Sequence, residues 1–429
     1  MQSISDETRR GATAREEAPD PPDDPSTITD QPGERTGRPM EEERMNRPIR
    51  RWLALPAIAA ILLSACSSGA PSPAPATQPP GTEGAAASQP PASVAPERIK
   101  IGFVTHVLGN PFIQQIIDGA NAAAEDLNVE LQVTGPEGGD ADAQLKAVQT
   151  LVASGVQGIA TSVPGESMVS GLNEVVDSGI PVVQFNLLVT SVKAPYVGER
   201  SVESGRILGQ KVVEQLGGAG STGKVIIGNC FPGFPVLENR ARGVQESLAA
   251  APGLEVLGPF DVKVAANENY AAWEALLSAN PDAKALIGLC APDIASLGKL
   301  QAANAGTPFV SGGYDLTAEN LAEIKNGNAY VSLGQTPFMQ GYLPVKMLAD
   351  SIRGATTVDL SAGGFLDAGT EIVTADSVEE PFGLPPLTFA ELEEIAASPE
   401  KAREYYQPLV DGQIANWADN IEPIENESK

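Results

Sequence analysis

Histidine and cysteine are nearly absent from this chain. Its 429 residues include one histidine, His106, and three cysteines, Cys66, Cys230 and Cys290. None of the cysteines lies in a CxxC pair, which excludes a Cys/His zinc site of ordinary ligand spacing. GxSxG, P-loop and HExxH patterns are also missing. A Cys–His nucleophile pair is arithmetically possible, but nothing local supports it. With so little for a nucleophile–base pair or a metal cluster, the chain is not expected to be an enzyme, and no cofactor or metal is expected. Positive charge is scarce, with 28 Lys and Arg against 55 Asp and Glu, a net −27. The first 65 residues hold 12 acidic and 9 basic side chains, which leaves the remainder at −24. Such a body is repelled by nucleic acid and by anionic lipid surfaces, so no nucleic-acid partner is expected. Aromatics make up only 5% of the chain, while hydrophobic residues reach 42%, enough for substantial cores.

Long apolar runs are missing too. Residues 52–63 (WLALPAIAAILL) follow Arg47, Arg50 and Arg51. That is about the length of a signal h-region and short for a membrane span. Leu63-Ser64-Ala65-Cys66 ends the run and resembles the lipobox of bacterial lipoproteins. The resemblance implies a signal peptide over 45–65, lipid attachment at Cys66 and cleavage before it. Residues 1–44 are polar, without an apolar period, and are expected to be disordered. They read as an over-extended frame ahead of a start at Met45. Residues 66–97, dominated by Ser, Gly, Ala and Pro, read as a semi-extended tether.

From Arg98 the pattern changes. IKIGFV (99–104), VELQV (129–133), GIATS (158–162) and PVVQFN (181–186) read as strands, with helical stripes near 113–127, 145–152 and 167–178 between them. The alternation restarts with strands at 224, 254, 285, 308 and 330, and helices near 238–249, 270–278, 294–304 and 317–325. Strand–helix alternation at this spacing means βαβ units and parallel sheets. The expected fold is α/β, with two doubly wound parallel-sheet, Rossmann-like lobes joined by a hinge. The linking stretch 196–209 holds no long loop. In such sheets ligands lie beyond the carboxyl ends of the strands. The strand-end residues, from His106 to Phe112, Ser162 to Ser167, Asn186, Cys230 to Phe234, Cys290 to Asp293, Asp315 and Gln335, are polar with aromatics interleaved. That mixture suits a hydroxylated ligand.

KIGFVTHVLGNPF, AQLKAVQTLVASGVQGIATS, SGIPVVQFN, PGFPVLENRARGV, LSANPDAKALIG and GYDLTAENLAEIKNGNAYVSLGQTP occur in this order. Over about 98–378 they resemble the type I periplasmic binding proteins for pentoses and related sugars, the ribose-binding branch. The resemblance implies lobe 1 at 98–199 plus about 336–367, and lobe 2 at about 205–335 plus 368–378. It also implies a small polar ligand, a sugar or polyol, an ABC permease as membrane partner and a monomeric protein, exported and held by its lipid at the outer face of the cytoplasmic membrane or in the periplasm. Asn110 and Phe112 match a sugar hydrogen-bonder and a ring-stacking aromatic. Asp315 and Gln335 match the sugar-binding Asp and Gln. Asn186 stands where an Asp is usual, Leu187 where an Arg is usual, and Glu238 where a sugar-binding Arg is expected. Arg240 matches an Arg used near the ligand or to brace its helix, and Asp293 falls near a polar strand-end position. His106 takes the place of a small residue in ribose proteins and of a Lys in the autoinducer-2 receptor branch. These departures imply a ligand other than ribose.

Phe231 and Phe234 either wall the cleft or pack a core turn. Trp273 reads as core, and Tyr270 as facing the cleft. Cys230 and Cys290 end neighbouring strands, where a disulfide or two free thiols are both open after export. Residues 379–429 outrun the resemblance. A helical pattern over 388–404, with Tyr405, Tyr406 and Trp417, implies an ordered extension packed on the second lobe. The importer component competes with a receptor for a furanosyl signal such as autoinducer-2, and with a lac-repressor-like regulator. The regulator would need an N-terminal helix-turn-helix where a signal and tether stand.

Overall fold

A computed structural model of the chain describes residues 98–429. The signal-like segment, Cys66 and the tether lie outside the described residues. The chain runs β1 (Ile99–Val104), α1 (Pro111–Asp126), β2 (Val129–Thr134), α2 (Ala141–Ala153), β3 (Gly158–Thr161), α3 (Val169–Asp177), β4 (Val182–Phe185) and β5 (Tyr196–Gly198). It continues through α4 (Ser201–Leu216), β6 (Thr222–Asn229), α5 (Pro235–Leu248), β7 (Gly253–Asp261), α6 (Ala266–Ala279), β8 (Ala283–Gly288), α7 (Asp293–Ala303), β9 (Val310–Tyr314), α8 (Ala318–Lys325) and β10 (Val331–Gly334). Then come α9 (Pro337–Arg353), β11 (Phe365–Asp367), β12 (Glu371–Thr374), β13 (Val378–Glu379), α10 (Phe389–Ala397), α11 (Pro399–Leu409) and α12 (Trp417–Asn420).

The strands form two sheets, in the orders β11-β5-β4-β3-β1-β2 and β13-β12-β10-β9-β8-β6-β7. Pairing is parallel throughout the first sheet; in the second, β12 and β13 add antiparallel strands at one edge. Helices cover both faces, so the inner strands read as near-continuous apolar runs. Ile101, Phe103 and Val104 of β1 are fully buried. The chain passes from one sheet to the other three times, at 199–200, 335–336 and 368–370. These three passages are the hinge.

Helix starts are locally encoded. The Asn110 side chain accepts from the N–H groups of Phe112 and Ile113, and Pro111 opens α1. Asp140 caps α2 in the same way. Helices α1 and α9 meet through glycine: a Cβ on Gly341 would lie 1.8 Å from the Ile116 carbonyl oxygen. No larger residue fits that crossing.

Cys230 and Cys290 follow the adjacent strands β6 and β8 and form a disulfide, with Cα atoms 6.1 Å apart. Of the two states open from the sequence, the structure takes the bonded one.

The C-terminal extension is ordered, but its main packing corrects the sequence reading. Tyr406 stacks on Phe338 at 5.4 Å, and Trp417 is buried with its Nε1–H on Asp350, 2.9 Å away. Both belong to the first lobe's core. Arg403 pairs with Glu125 and Asp126 of the same lobe. Contacts with the second lobe come from β13, which pairs with β12, from Tyr406, whose Oη donates to Glu371, and from α10 and the last residues. Leu392 is buried among Ile294, Leu321 and Ile324, and Glu427 accepts from Ser201 and Asn239. The single helical stretch read over 388–404 is two helices, broken where Ser398 caps α11 ahead of Pro399. Among the described residues no helix is long and apolar enough to cross a membrane.

Candidate functional site

A cavity of about 720 Å³ lies between the lobes, beyond the carboxyl ends of both sheets. His106, Asn110, Phe112 and Asn186 line it from the first lobe, Arg240 and Asp315 from the second, and Gln335 from the hinge. Seven of the nine ligand-binding residues read from the sequence therefore converge. Asn186 and Asp315 each follow a strand and adopt left-handed backbone, with φ of 60° and 72°. Asn and Asp tolerate that conformation better than other residues with a side chain. Both are buried yet border the cavity.

The polar groups are held in a network. Gln335 donates its side-chain N–H to Asp315 Oδ1 at 2.5 Å. Gln340 donates to the Gln335 carbonyl at 2.7 Å and accepts from Asn186 at 3.3 Å. Burial pushes the Asp315 carboxyl up to about 6, against the opposing pull of Arg240. His106 Nδ1 lies 3.2 Å from Ser162 Oγ, and burial lowers the imidazole to about 4. His106 is therefore neutral at physiological pH and offers the cleft a hydrogen bond rather than a charge.

Arg240 serves as brace and wall together. It is 3% exposed, donates to Glu199 and to the Leu289 carbonyl (2.8 Å), and lies over the Tyr314 ring at 3.8 Å. Glu199 sits in the first hinge passage, and its second oxygen has no partner.

Two expected site residues lie outside the cavity. Glu238 turns back onto its own loop, where it accepts from Asn229 and from the Gly233 N–H at 2.9 Å. Asp293 is fully buried beneath α6, accepting from Asn269 (2.7 Å), Trp273 Nε1 (2.8 Å) and the Cys290 N–H. Burial raises it to about 6 despite those donors. Both carboxylates are scaffolding.

Phe231 and Phe234 stack at 4.0 Å and line the cavity. Phe231 reaches the opposite lobe: a Cβ on Gly139 would lie 3.2 Å from its ring. Tyr270 also lines the cavity, and Trp273 is core. Lys299 and Glu137 line it as well and escaped the sequence reading, since each occupies an exposed position with no local signature. No group of three or more metal-ligating side chains occurs among the described residues.

A ligand hydroxyl donating to Asp315 favours the ionised carboxylate, so binding expels a proton where Asp315 is protonated. Affinity should fall as pH drops below about 6 and change little above it. Asp315→Asn should flatten that profile in calorimetric titrations. A profile unchanged in the variant would assign it elsewhere.

Two doubly wound lobes with a hydrogen-bonding, aromatic-walled cleft at their shared strand ends define a class: bilobal solute-binding proteins. Residues 101–356 match the family model described as periplasmic binding protein domain, and the chain belongs to that family. It is similar to the xylose/arabinose-binding protein XylF of Sulfolobus acidocaldarius, 24% identical over 65% of this chain and 72% of that protein. It is likewise similar to the ribose import binding protein RbsB of Salmonella typhimurium, 25% identical over 59% of this chain and 85% of that one. These relatives are named as binding proteins, in keeping with the expectation that this chain is not an enzyme. The fold matches the glucose-galactose binding protein GanP of Geobacillus stearothermophilus (23% identical, TM-score 0.60, 65% of this chain and 98% of that one). It also matches a solute-binding protein of Burkholderia graminis in complex with D-arabinose (24% identical, TM-score 0.60, 65% and 96%).

Proposed function

We propose that this chain is the substrate-binding lipoprotein of an ABC importer. It captures a small polyhydroxylated, sugar-like molecule between its lobes and delivers it to a membrane permease, tethered through a lipid on Cys66. The observation that carries this reading is the cleft itself. Asn110, Asn186, Asp315 and Gln335 supply the paired donors and acceptors that hydroxyls require, and Phe112, Phe231 and Phe234 supply flat faces for an apolar ring surface. The sugars named for XylF and RbsB support the ligand class. Asp315, Gln335, Asn110 and Phe112 form a sugar-like half-site, while Asn186, Leu187 and His106 alter the remainder and favour a ligand other than ribose. Ligand bridging the lobes favours their closed arrangement, and that arrangement is what a permease reads.

The test is a thermal-shift screen of the purified protein against pentoses, hexoses, polyols and furanosyl signals. A cognate ligand at a hundredfold excess over its Kd stabilises by about 2.7 kcal/mol. Failure of every polar small molecule to stabilise the protein would sink the proposal. Native cells should incorporate labelled fatty acid into the chain but not into Cys66→Ser.

A further inference from the structure

A second chamber of about 420 Å³ adjoins the cleft and shares Pro111, Phe112 and Gln335 with it. Its far side is built by the C-terminal extension, where Leu392, Ile395 and Tyr406 face Leu316 and Phe338. Ala396, Ala397 and Ala402 also line it, and their small side chains keep the space open. The matched solved structures are covered over nearly their whole length by 65% of this chain. The unmatched third is the size of the N-terminal 97 and C-terminal 51 residues taken together.

The chamber's side-chain donors are already engaged. Glu371 accepts from Tyr406 Oη at 2.8 Å and from the Thr336 N–H at 3.2 Å. The Gln115 side chain donates to the Ala396 carbonyl at 3.0 Å, Gln114 to Asp118 at 2.9 Å, and Gln335 to Asp315. A second sugar would find few free donors here, whereas Leu316, Phe338, Leu392 and Ile395 offer an apolar group close contact.

We propose that this chamber receives an apolar substituent, alkyl or aryl, carried by the molecule whose hydroxylated ring is held in the cleft. The ligand class is then a glycoside rather than a free sugar. Phe112 and Gln335 stand at the boundary, with the ring on one side and the substituent on the other. This rests on the sugar-like reading of the cleft and narrows it.

The experiment is calorimetric titration of the purified protein with the free sugar, the methyl glycoside and the phenyl glycoside of xylose, arabinose, ribose and glucose. For the sugar that binds, the phenyl glycoside should bind about tenfold or more tightly than the methyl glycoside, from the added apolar burial. Ala402→Phe, which fills the chamber, should abolish that preference and leave the methyl glycoside within about twofold of its native affinity. Ala396→Leu, at a half-buried position, serves if Ala402→Phe does not fold. Equal affinity of the two glycosides for the native protein overturns the chamber assignment, as does a preference that survives in the folded filling variants. Binding of free sugars alone overturns the chamber and leaves the cleft reading standing. Binding of none of these sugars or glycosides overturns the chamber assignment, and, together with no stabilisation by any polar small molecule in the thermal-shift screen, the cleft reading as well.

Discussion

Replacing Arg240 by alanine is expected to destabilise the protein by about 3–5 kcal/mol, the cost of stranding one member of a buried ion pair. Its partner Glu199 is fully buried and already has one unpartnered oxygen. No other cation is bonded to that carboxylate among the described residues. The pair also joins the first hinge passage to α5 of the second lobe, so its loss should change lobe closure as well as stability. Arg240→Lys keeps a charge but loses the planar group that bonds the Leu289 carbonyl and lies over Tyr314. It should recover only part of the loss. Urea unfolding of the native protein and the two variants measures this; a loss under about 1 kcal/mol for Arg240→Ala would place Arg240 among ordinary surface ion pairs.

Trp417→Ala should cost a similar amount, about 3–5 kcal/mol, the range for removing a large buried aromatic. Trp417 lies 61 residues past the end of the matched family segment, yet it is 2% exposed and bonds Asp350 on α9. If the extension were an appended tail, the substitution would leave the unfolding midpoint of the lobes unchanged. The packing of Tyr406 on Phe338, and the Glu422–Phe365 bridge that lengthens the first sheet, make it part of the first lobe's core instead.

These two residues illustrate what sequence can carry. Arg240 was legible as either a ligand contact or a brace, because a basic residue early in a helix after a strand end can do both. Only its distance to Glu199, 41 positions away, shows that bracing absorbs most of its hydrogen bonds. Strand–helix alternation exposed most of the fold, since strands covered on both faces announce themselves as apolar runs. The three-residue strands β5 and β11 are too short to show a period, and α9 carries Gly341 and Pro344 in its interior, residues that read as helix breakers. In the cleft, Asn186, Asp315 and Gln335 were legible because position at a strand end fixes where a side chain emerges. Glu238 and Asp293 failed for a local reason. Each sits in the first turn of a helix, and there a carboxylate folds back onto nearby N–H groups of its own loop. The extension's aromatics announced burial, but a sequence does not say against which surface.

The central claim is that Asp315 and Gln335 hold a hydroxylated ring between the lobes. Calorimetric titration of the stabilising sugar or glycoside into the native protein, Asp315→Ala and Gln335→Ala tests it most directly. Each variant should lose about tenfold or more in affinity, as expected when a charge-assisted or buried hydrogen bond to the ligand is removed, while its unfolding shows both lobes intact. Native affinity in both variants would contradict the site.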